Sequence, residues 1–304
     1  MQGKSDACLY SRFKNNRWTF ILTHVQDLVL CHQDKEDSDE IVRNLNKKIE
    51  MKDLGDICYY LGIQMEWGGN GSFFINQKQK IMDLIEHLGL TEANVAEIPM
   101  EVGFFKDNET KEPLQDNSQY RTATGKLLYT STVTRLGIAA VVGKLCRKVN
   151  AQTKKDWTAV KRIGRYLKGT ADLKLMLPAN SNSRLVDYMD ANWSECREDR
   201  KSTSGNLFYY GGGVISWTSK KQSVVALSSI EAKYISAAQA CQEATWLYRL
   251  LLDFGINEPK PTRMHEDNKS CILLSQPERV TPQTMQIDTK YHCVRDAQQQ
   301  GSLG

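Results

Sequence analysis

The chain has 304 residues, 40% of them hydrophobic and 25% charged. This ordinary globular balance excludes a disordered, collagenous or coiled-coil chain, and the length suits two or three domains with their own cores. The 40 basic residues against 36 acidic ones leave a formal net charge of +4, which permits a polyanionic partner without requiring one.

No window is apolar for long enough to cross a membrane. Met1 to Tyr10 carries Lys4 and Asp6 and lacks the apolar centre of a secretory signal. The cysteines stand singly with no CxxC pair, so a zinc ribbon or redox motif is not expected and the thiols read as reduced and intracellular.

In chain order, the β-branched and aromatic run from Trp18 to Leu30 predicts two strands with a turn at His24–Asp27. Ile41, Leu45, Ile49 and Met51 among charges predict a surface helix over Ser38–Lys52. Gly68-Gly69-Asn70-Gly71 between Cys58–Trp67 and Ser72–Ile75 predicts a hairpin, and a helix over Gln77–Leu88 stops at Gly89. Periodicity is lost over Pro99–Ser118, a loop or linker. Three helices follow, over Tyr120–Thr134, Ile138–Asn150 and Thr153–Lys168. The third sets Trp157, Val160, Gly164 and Leu167 on one face and Lys154, Lys161, Arg165 and Lys168 on another.

Strands are then predicted over Leu173–Leu177, Arg184–Met189, Thr203–Tyr210 and Val214–Thr218, the last two joined by Gly211-Gly212-Gly213. A long helix over Ser228–Phe254 ends at Gly255. A short strand Thr262–His265, a helix through Leu274 and a last helix over Met285–Ala297 complete the order, with a tail from Gln298. Strands, a long helix, then a strand and a helix describe an α/β unit with a mixed sheet.

Three acidic residues lie at the ends of these elements. Asp190 follows the second of those strands, Glu231 opens the long helix, and Asp267 follows the short strand. Strand ends and helix starts can meet at one edge of a mixed sheet. Three carboxylates gathered there would repel one another unless a cation sat among them, and hard oxygen ligands favour Mg²⁺ or Mn²⁺. Each residue also has a plainer reading. Ser228 and Glu231 form S-x-x-E, a capping box, and Asp190 and Asp267 read singly as turn or N-cap residues. Spacing alone leaves both readings open, along with a generic α/β metal-dependent phosphatase or nuclease.

The motifs go further. Leu185-Val186-Asp187-Tyr188-Met189-Asp190-Ala191-Asn192-Trp193, Ile215-Ser216-Trp217-Thr218-Ser219-Lys220-Lys221-Gln222, Ala226-Leu227-Ser228-Ser229-Ile230-Glu231-Ala232-Lys233-Tyr234 and Glu266-Asp267-Asn268-Lys269-Ser270 resemble the ribonuclease H domain of copia-type retrotransposon Pol polyproteins. Gln286-Ile287-Asp288-Thr289-Lys290-Tyr291-His292 continues that resemblance. Glu50-Met51-Lys52-Asp53-Leu54-Gly55 with Tyr60-Leu61-Gly62-Ile63 resembles the end of the same family's reverse-transcriptase palm, and Gly125-Lys126-Leu127-Leu128-Tyr129 with Arg165-Tyr166-Leu167-Lys168-Gly169-Thr170 the segment between them.

The resemblance implies an α/β chain in which a partial palm (1–100) and a helical thumb or connection (101–180) precede a ribonuclease H-like mixed sheet (181–304). The activity implied is cleavage of the RNA strand of an RNA–DNA hybrid. Asp190, Glu231 and Asp267 would hold two Mg²⁺ (or Mn²⁺) ions, one activating water and the other stabilising the leaving 3′ oxygen. Lys201, Lys220 and Lys221 would touch phosphate, as would the face of Lys161, Arg165 and Lys168, and the 2′-OH would mark the RNA strand. An intracellular site, in cytoplasmic virus-like particles or the nucleus, follows from the same resemblance.

The sequence also departs from the family. Where the family carries Tyr-x-Asp-Asp, this chain reads His24-Val25-Gln26-Asp27, so an amide replaces one metal-binding carboxylate and Asp27 is what remains of the polymerase site. The earlier palm aspartate and the final strand and helix with a fourth ribonuclease aspartate are expected to lie beyond the residues given. Asn192 stands for an aspartate, Gln286 for a histidine, and Asp288 reads as a helix-start residue. Polymerase activity is expected to be lost. A decayed or domesticated copy that at most binds nucleic acid is the alternative to an active nuclease.

Overall fold

The computed structural model describes residues 1–106, 112–179, 184–196, 198–259, 261–275 and 293–299. Three sheets organise them. The first is an antiparallel meander of β1 (Leu9–Lys14), β2 (Arg17–His24) and β3 (Asp27–His32). β2 and β3 meet at the expected turn, with His24 paired to Asp27. β1 was not predicted. Its turn is Asn15-Asn16, both at positive φ (52° and 61°), a conformation that asparagine tolerates and that matches the strand twist. The helix expected over Ser38–Lys52 is instead α1 (Lys35–Asn46), because Asp34 caps it three residues earlier by accepting from the Glu36 amide.

The second sheet is β4 (Tyr59–Tyr60), β5 (Ile63–Trp67), β6 (Phe73–Asn76) and β7 (Leu175–Leu177), antiparallel throughout. The stretch Cys58–Trp67 is therefore two strands rather than one. Leu61 and Gly62, both at positive φ, fold it back on itself. β7 pairs with β6 across about a hundred residues of sequence, with Phe73 opposite Leu177.

Between β6 and β7 run α2 (Lys78–His87), α3 (Ser118–Val133), α4 (Ala139–Cys146) and α5 (Lys154–Gly169). They enclose one apolar core of Ile81, Leu84, Leu127, Leu145, Ile163 and Leu167, all buried. α4 is shorter than the Ile138–Asn150 helix expected: a 3₁₀ turn at Leu136–Ile138 takes its first residue, and the helix ends at Cys146, where the Arg147 amide donates to the Leu145 carbonyl. α5 starts at a full capping box, in which the Thr153 hydroxyl accepts from the Asp156 amide and Asp156 accepts from the Thr153 amide. Gly164 is needed on α5, because a Cβ there would lie 2.8–2.9 Å from the Leu90 and Leu88 methyls.

The third sheet has the order β10 (Gly213–Lys221), β9 (Thr203–Tyr210), β8 (Val186–Asn192) and β11 (Arg263–His265). β10 and β8 are each antiparallel to β9, and β11 is parallel to β8. A parallel partner needs a crossover, which α6 (Ser229–Asp253) supplies. α6 is 25 residues long, roughly 37 Å at 1.5 Å per residue. Its buried face is built from Ala232, Ala237, Ala238, Ala240 and Ala244, small enough for the helix to lie close on the sheet, where Phe208 of β9 fills the space beneath. Ser228 caps its start. At its end Gly255 (φ +73°) turns the chain, with Gly255 and Ile256 amides donating to the Leu252 and Leu251 carbonyls.

α7 (Lys269–Ser275) and a final helix, Cys293–Gln299, pack on α6. Of the helix expected over Met285–Ala297, the part before Cys293 lies outside the described residues, as do Gln286 and Asp288; the helix itself runs past Ala297 into the predicted tail. Among the described residues no helix is long and apolar enough to cross a membrane. All eight cysteines are free thiols.

Candidate functional site

The end of β8 and the loop after β11 lie side by side because these two strands are parallel neighbours. Asp190 sits on β8 and is anchored from both sides. Its carbonyl accepts from the Ser236 hydroxyl of α6 at 2.8 Å, and its Oδ1 accepts from the Ala191 amide at 2.7 Å. Glu266 and Asp267 follow β11 directly, and the Glu266 carboxylate accepts from the Asn268 amide at 2.9 Å.

A single cation joins these groups. Lys233 Nζ donates to Asp190 Oδ1 at 2.6 Å, Asp267 Oδ1 at 2.5 Å and Glu266 Oε1 at 3.0 Å. An ammonium has three N–H donors, and all three are used here. Asp190 and Asp267 are largely exposed, with side chains 73% and 84% accessible, whereas Lys233 is at 12% and Glu266 at 2%. Burial works against the charge on Lys233, but the hydrogen bonds to Asp190, Asp267 and Glu266 outweigh it and raise its pKa. The hydrogen bond from Lys233 holds Asp267 below the ordinary carboxylate range, while burial pushes Glu266 up. Among the described residues, no group donates a hydrogen bond to the buried Glu266 Oε2.

Glu231 is engaged elsewhere. Its Oε2 accepts from the Leu227 amide at 2.7 Å, and its own amide donates to the Ser228 hydroxyl, so it serves the start of α6. The structure thus brings Asp190 and Asp267 onto one cation, with Glu266 rather than Glu231 as the third carboxylate. Among the described residues, no three Asp, Glu, His or Cys side chains stand ready as a metal cluster. The donor set itself suits a hard cation: exposed carboxylates from two strand ends that already converge on a positive charge, beside a buried oxygen lacking a partner.

The predicted phosphate contacts divide. Lys220 is exposed. Lys221 is held by Asp199 at 2.8 Å and Cys196 Sγ at 3.1 Å, and that lysine pulls the Asp199 carboxyl down to about 2. Lys201 is half-buried beside the same Asp199 turn, where its amide donates to the Asp199 carboxylate. On α5, Arg165 donates to the Asn94 carbonyl, Lys168 to the carbonyls of Thr91 and Ala93, and Lys161 lies 5.5 Å from the Trp157 ring. Arg165 and Lys168 therefore tie down the loop after α2.

A family profile described as reverse transcriptase (RNA-dependent DNA polymerase) matches residues 2–102. The chain is 33% identical over 98% of its length to the retrovirus-related Pol polyprotein from transposon TNT 1-94 of Nicotiana tabacum, and 30% identical over 98% to that of transposon RE1 of Arabidopsis thaliana. It spans 23% and 20% of those two proteins. It is also 30% identical over 75% of its length to an uncharacterized mitochondrial protein of Arabidopsis thaliana, AtMg00810, of which it covers 93%. The chain belongs to the copia-type retrotransposon Pol family.

In this Pol-family chain the profile match takes in the β2–β3 hairpin and its His24-Val25-Gln26-Asp27 turn. Asp27 is exposed at the tip. Beside it Val25 is 95% exposed at φ +54°, a conformation β-branched residues rarely adopt. Sequence reasoning does not single out Lys233 or Glu266. Their only signal is adjacency, one lying two residues past Glu231 on α6 and the other beside Asp267.

Proposed function

We propose that the mixed sheet β10-β9-β8-β11 with α6 laid across it is a ribonuclease H-like unit that acts on the RNA strand of RNA–DNA hybrids. The observation that carries this reading is the convergence of Asp190 and Asp267, from parallel neighbouring strands, on one cation. Mg²⁺ or Mn²⁺ would be held by Asp190 and Asp267, with Glu231 as a third ligand once it releases the Leu227 amide. Bound there, a divalent ion would neutralise phosphate charge and activate water. The residues of the chain supply the rest. β8 and β11 hold the two aspartates side by side, Ser236 fixes the β8 backbone at Asp190, and exposed Lys220 is available to a phosphate. Location inside the cell, in the cytoplasm or nucleus, belongs to the same reading.

The test is incubation of the full chain with a labelled RNA–DNA hybrid and Mg²⁺ or Mn²⁺. Cleavage of the RNA strand that is lost in Asp190→Asn by on the order of a hundredfold or more supports the reading; RNA left intact by the unmutated chain under both metals refutes it.

A second reading, a non-catalytic copy that binds nucleic acid, is favoured by one observation: the cation among the carboxylates is the chain's own Lys233. Salt-sensitive binding of the hybrid without cleavage is its signature. For the polymerase half we expect no primer extension on a primed template with Mn²⁺, because Gln26 cannot supply the negative charge that a carboxylate brings to a metal. Extension of the primer would overturn that expectation.

A further inference from the structure

We infer that Lys233 occupies the cation seat between the ends of β8 and β11, so that a divalent ion gains Asp190 and Asp267 only by expelling it. This rests on the ribonuclease reading of the same carboxylates and adds a built-in competitor to it.

Three observations support the inference. First, the ammonium of Lys233 reaches carboxylates from both strand ends, at 2.5–3.0 Å, with each of its three N–H groups matched to one of them. Second, Lys233 is itself 12% accessible, so its stem is fixed against the helix and sheet while the aspartates it holds are open to solvent. Third, Glu266 beside it has a side chain 2% accessible, and among the described residues no group donates to its buried Oε2. A buried carboxylate of this kind is costly to charge, and the Lys233 ammonium at 3.0 Å offsets part of that cost. A small divalent ion entering the seat would meet a like charge at hydrogen-bond distance from its own ligands, and the two cannot share it. The lysine thus offsets part of the carboxylates' charge in the absence of metal and weakens the site for metal by the same contact.

The experiment is a Mn²⁺ titration of the full chain without nucleic acid, with free Mn²⁺ read by its electron paramagnetic resonance signal. Lys233→Gln is expected to bind Mn²⁺ more tightly than the unmutated chain by about tenfold or more, since the competing unit charge is gone. Adding Asp190→Asn to Lys233→Gln should abolish the gain. Equal, tight binding by the unmutated chain and Lys233→Gln overturns the inference and leaves the ribonuclease reading intact. No binding by either, with no cleavage of hybrid, overturns both. Should Lys233→Gln fail to fold, Lys233→Met, which keeps an unbranched stem without the charge, takes its place in the same titration: tighter Mn²⁺ binding than the unmutated chain supports the inference, and equal binding overturns it.

Discussion

Asparagine in place of Asp187 is expected to stabilise the fold at pH 8 by on the order of 2–4 kcal/mol. Asp187 lies in β8, fully buried, and among the described residues no group donates to its Oδ2. Burial pushes its carboxyl up to about 7, against the partial relief of the Leu207 and Tyr188 amides, and the charge of Glu243 adds to the rise. The sign follows from proton counting. Between the unfolded value of 3.8 and the folded value of about 7, the folded chain binds more protons than the unfolded chain. Stability therefore falls as pH rises through that window and levels off above it. Asparagine keeps an acceptor for the Leu207 amide and cannot ionise. Urea denaturation at pH 4, 6 and 8 should show the gain growing from near zero to its full value; a gain that is the same at all three would trace it to something other than the buried charge.

Gly255→Ala is expected to destabilise the chain by about 2–4 kcal/mol. Part of this, about 1–2 kcal/mol, is the left-handed backbone at φ +73°, which the Schellman turn after α6 requires. The rest is contact. An added Cβ would lie 2.3 Å from Cζ2 and 2.6 Å from Cε2 of Trp18, and overpacking of this kind costs about 1–3 kcal/mol. Trp18 cannot simply swing away, since it stacks 5.6 Å from Phe20, which meets Phe254 edge-on at 5.0 Å. Nearby the Ser5 amide donates to Asp253 at 2.7 Å. This is where the first sheet docks on the end of the long helix. Gly255→Asn separates the two causes, because asparagine accepts the left-handed backbone but still carries a Cβ. If Gly255→Asn matched the parent in urea midpoint, the Trp18 contact would carry none of the cost.

Much of this architecture was legible in the residues. The start of α5 at Thr153, the Gly255 stop and the strand over Thr203–Tyr210 rest on local signals, set within a few residues of one another, and among the described residues most predicted elements lie close to their places. What local signals do not carry is partnership across sequence. β7 reads as one of four successive strands, yet it pairs with β6, and no pattern within Leu173–Leu177 says so. β1 escaped because its turn uses two asparagines at positive φ rather than glycine. At the candidate site, Asp190 and Asp267 could be placed because strand ends are predictable. The hand that joins them belongs to Lys233, whose reach is a matter of side-chain geometry. Glu231 shows the converse: its S-x-x-E spacing allowed both a cap and a ligand, and its oxygen serves the backbone at the helix start.

The pairing of β7 with β6 has a consequence for how the chain can be divided. Phe73, Phe74 and Ile75 are sealed on one side by β5 and on the other by Leu175, Met176 and Leu177. A fragment ending near residue 100 would leave that aromatic border as a bare sheet edge, ready to recruit a second molecule. The second sheet thus keeps β6 paired on both sides only when Leu175–Leu177 are present, and any division of the chain ahead of them opens that edge.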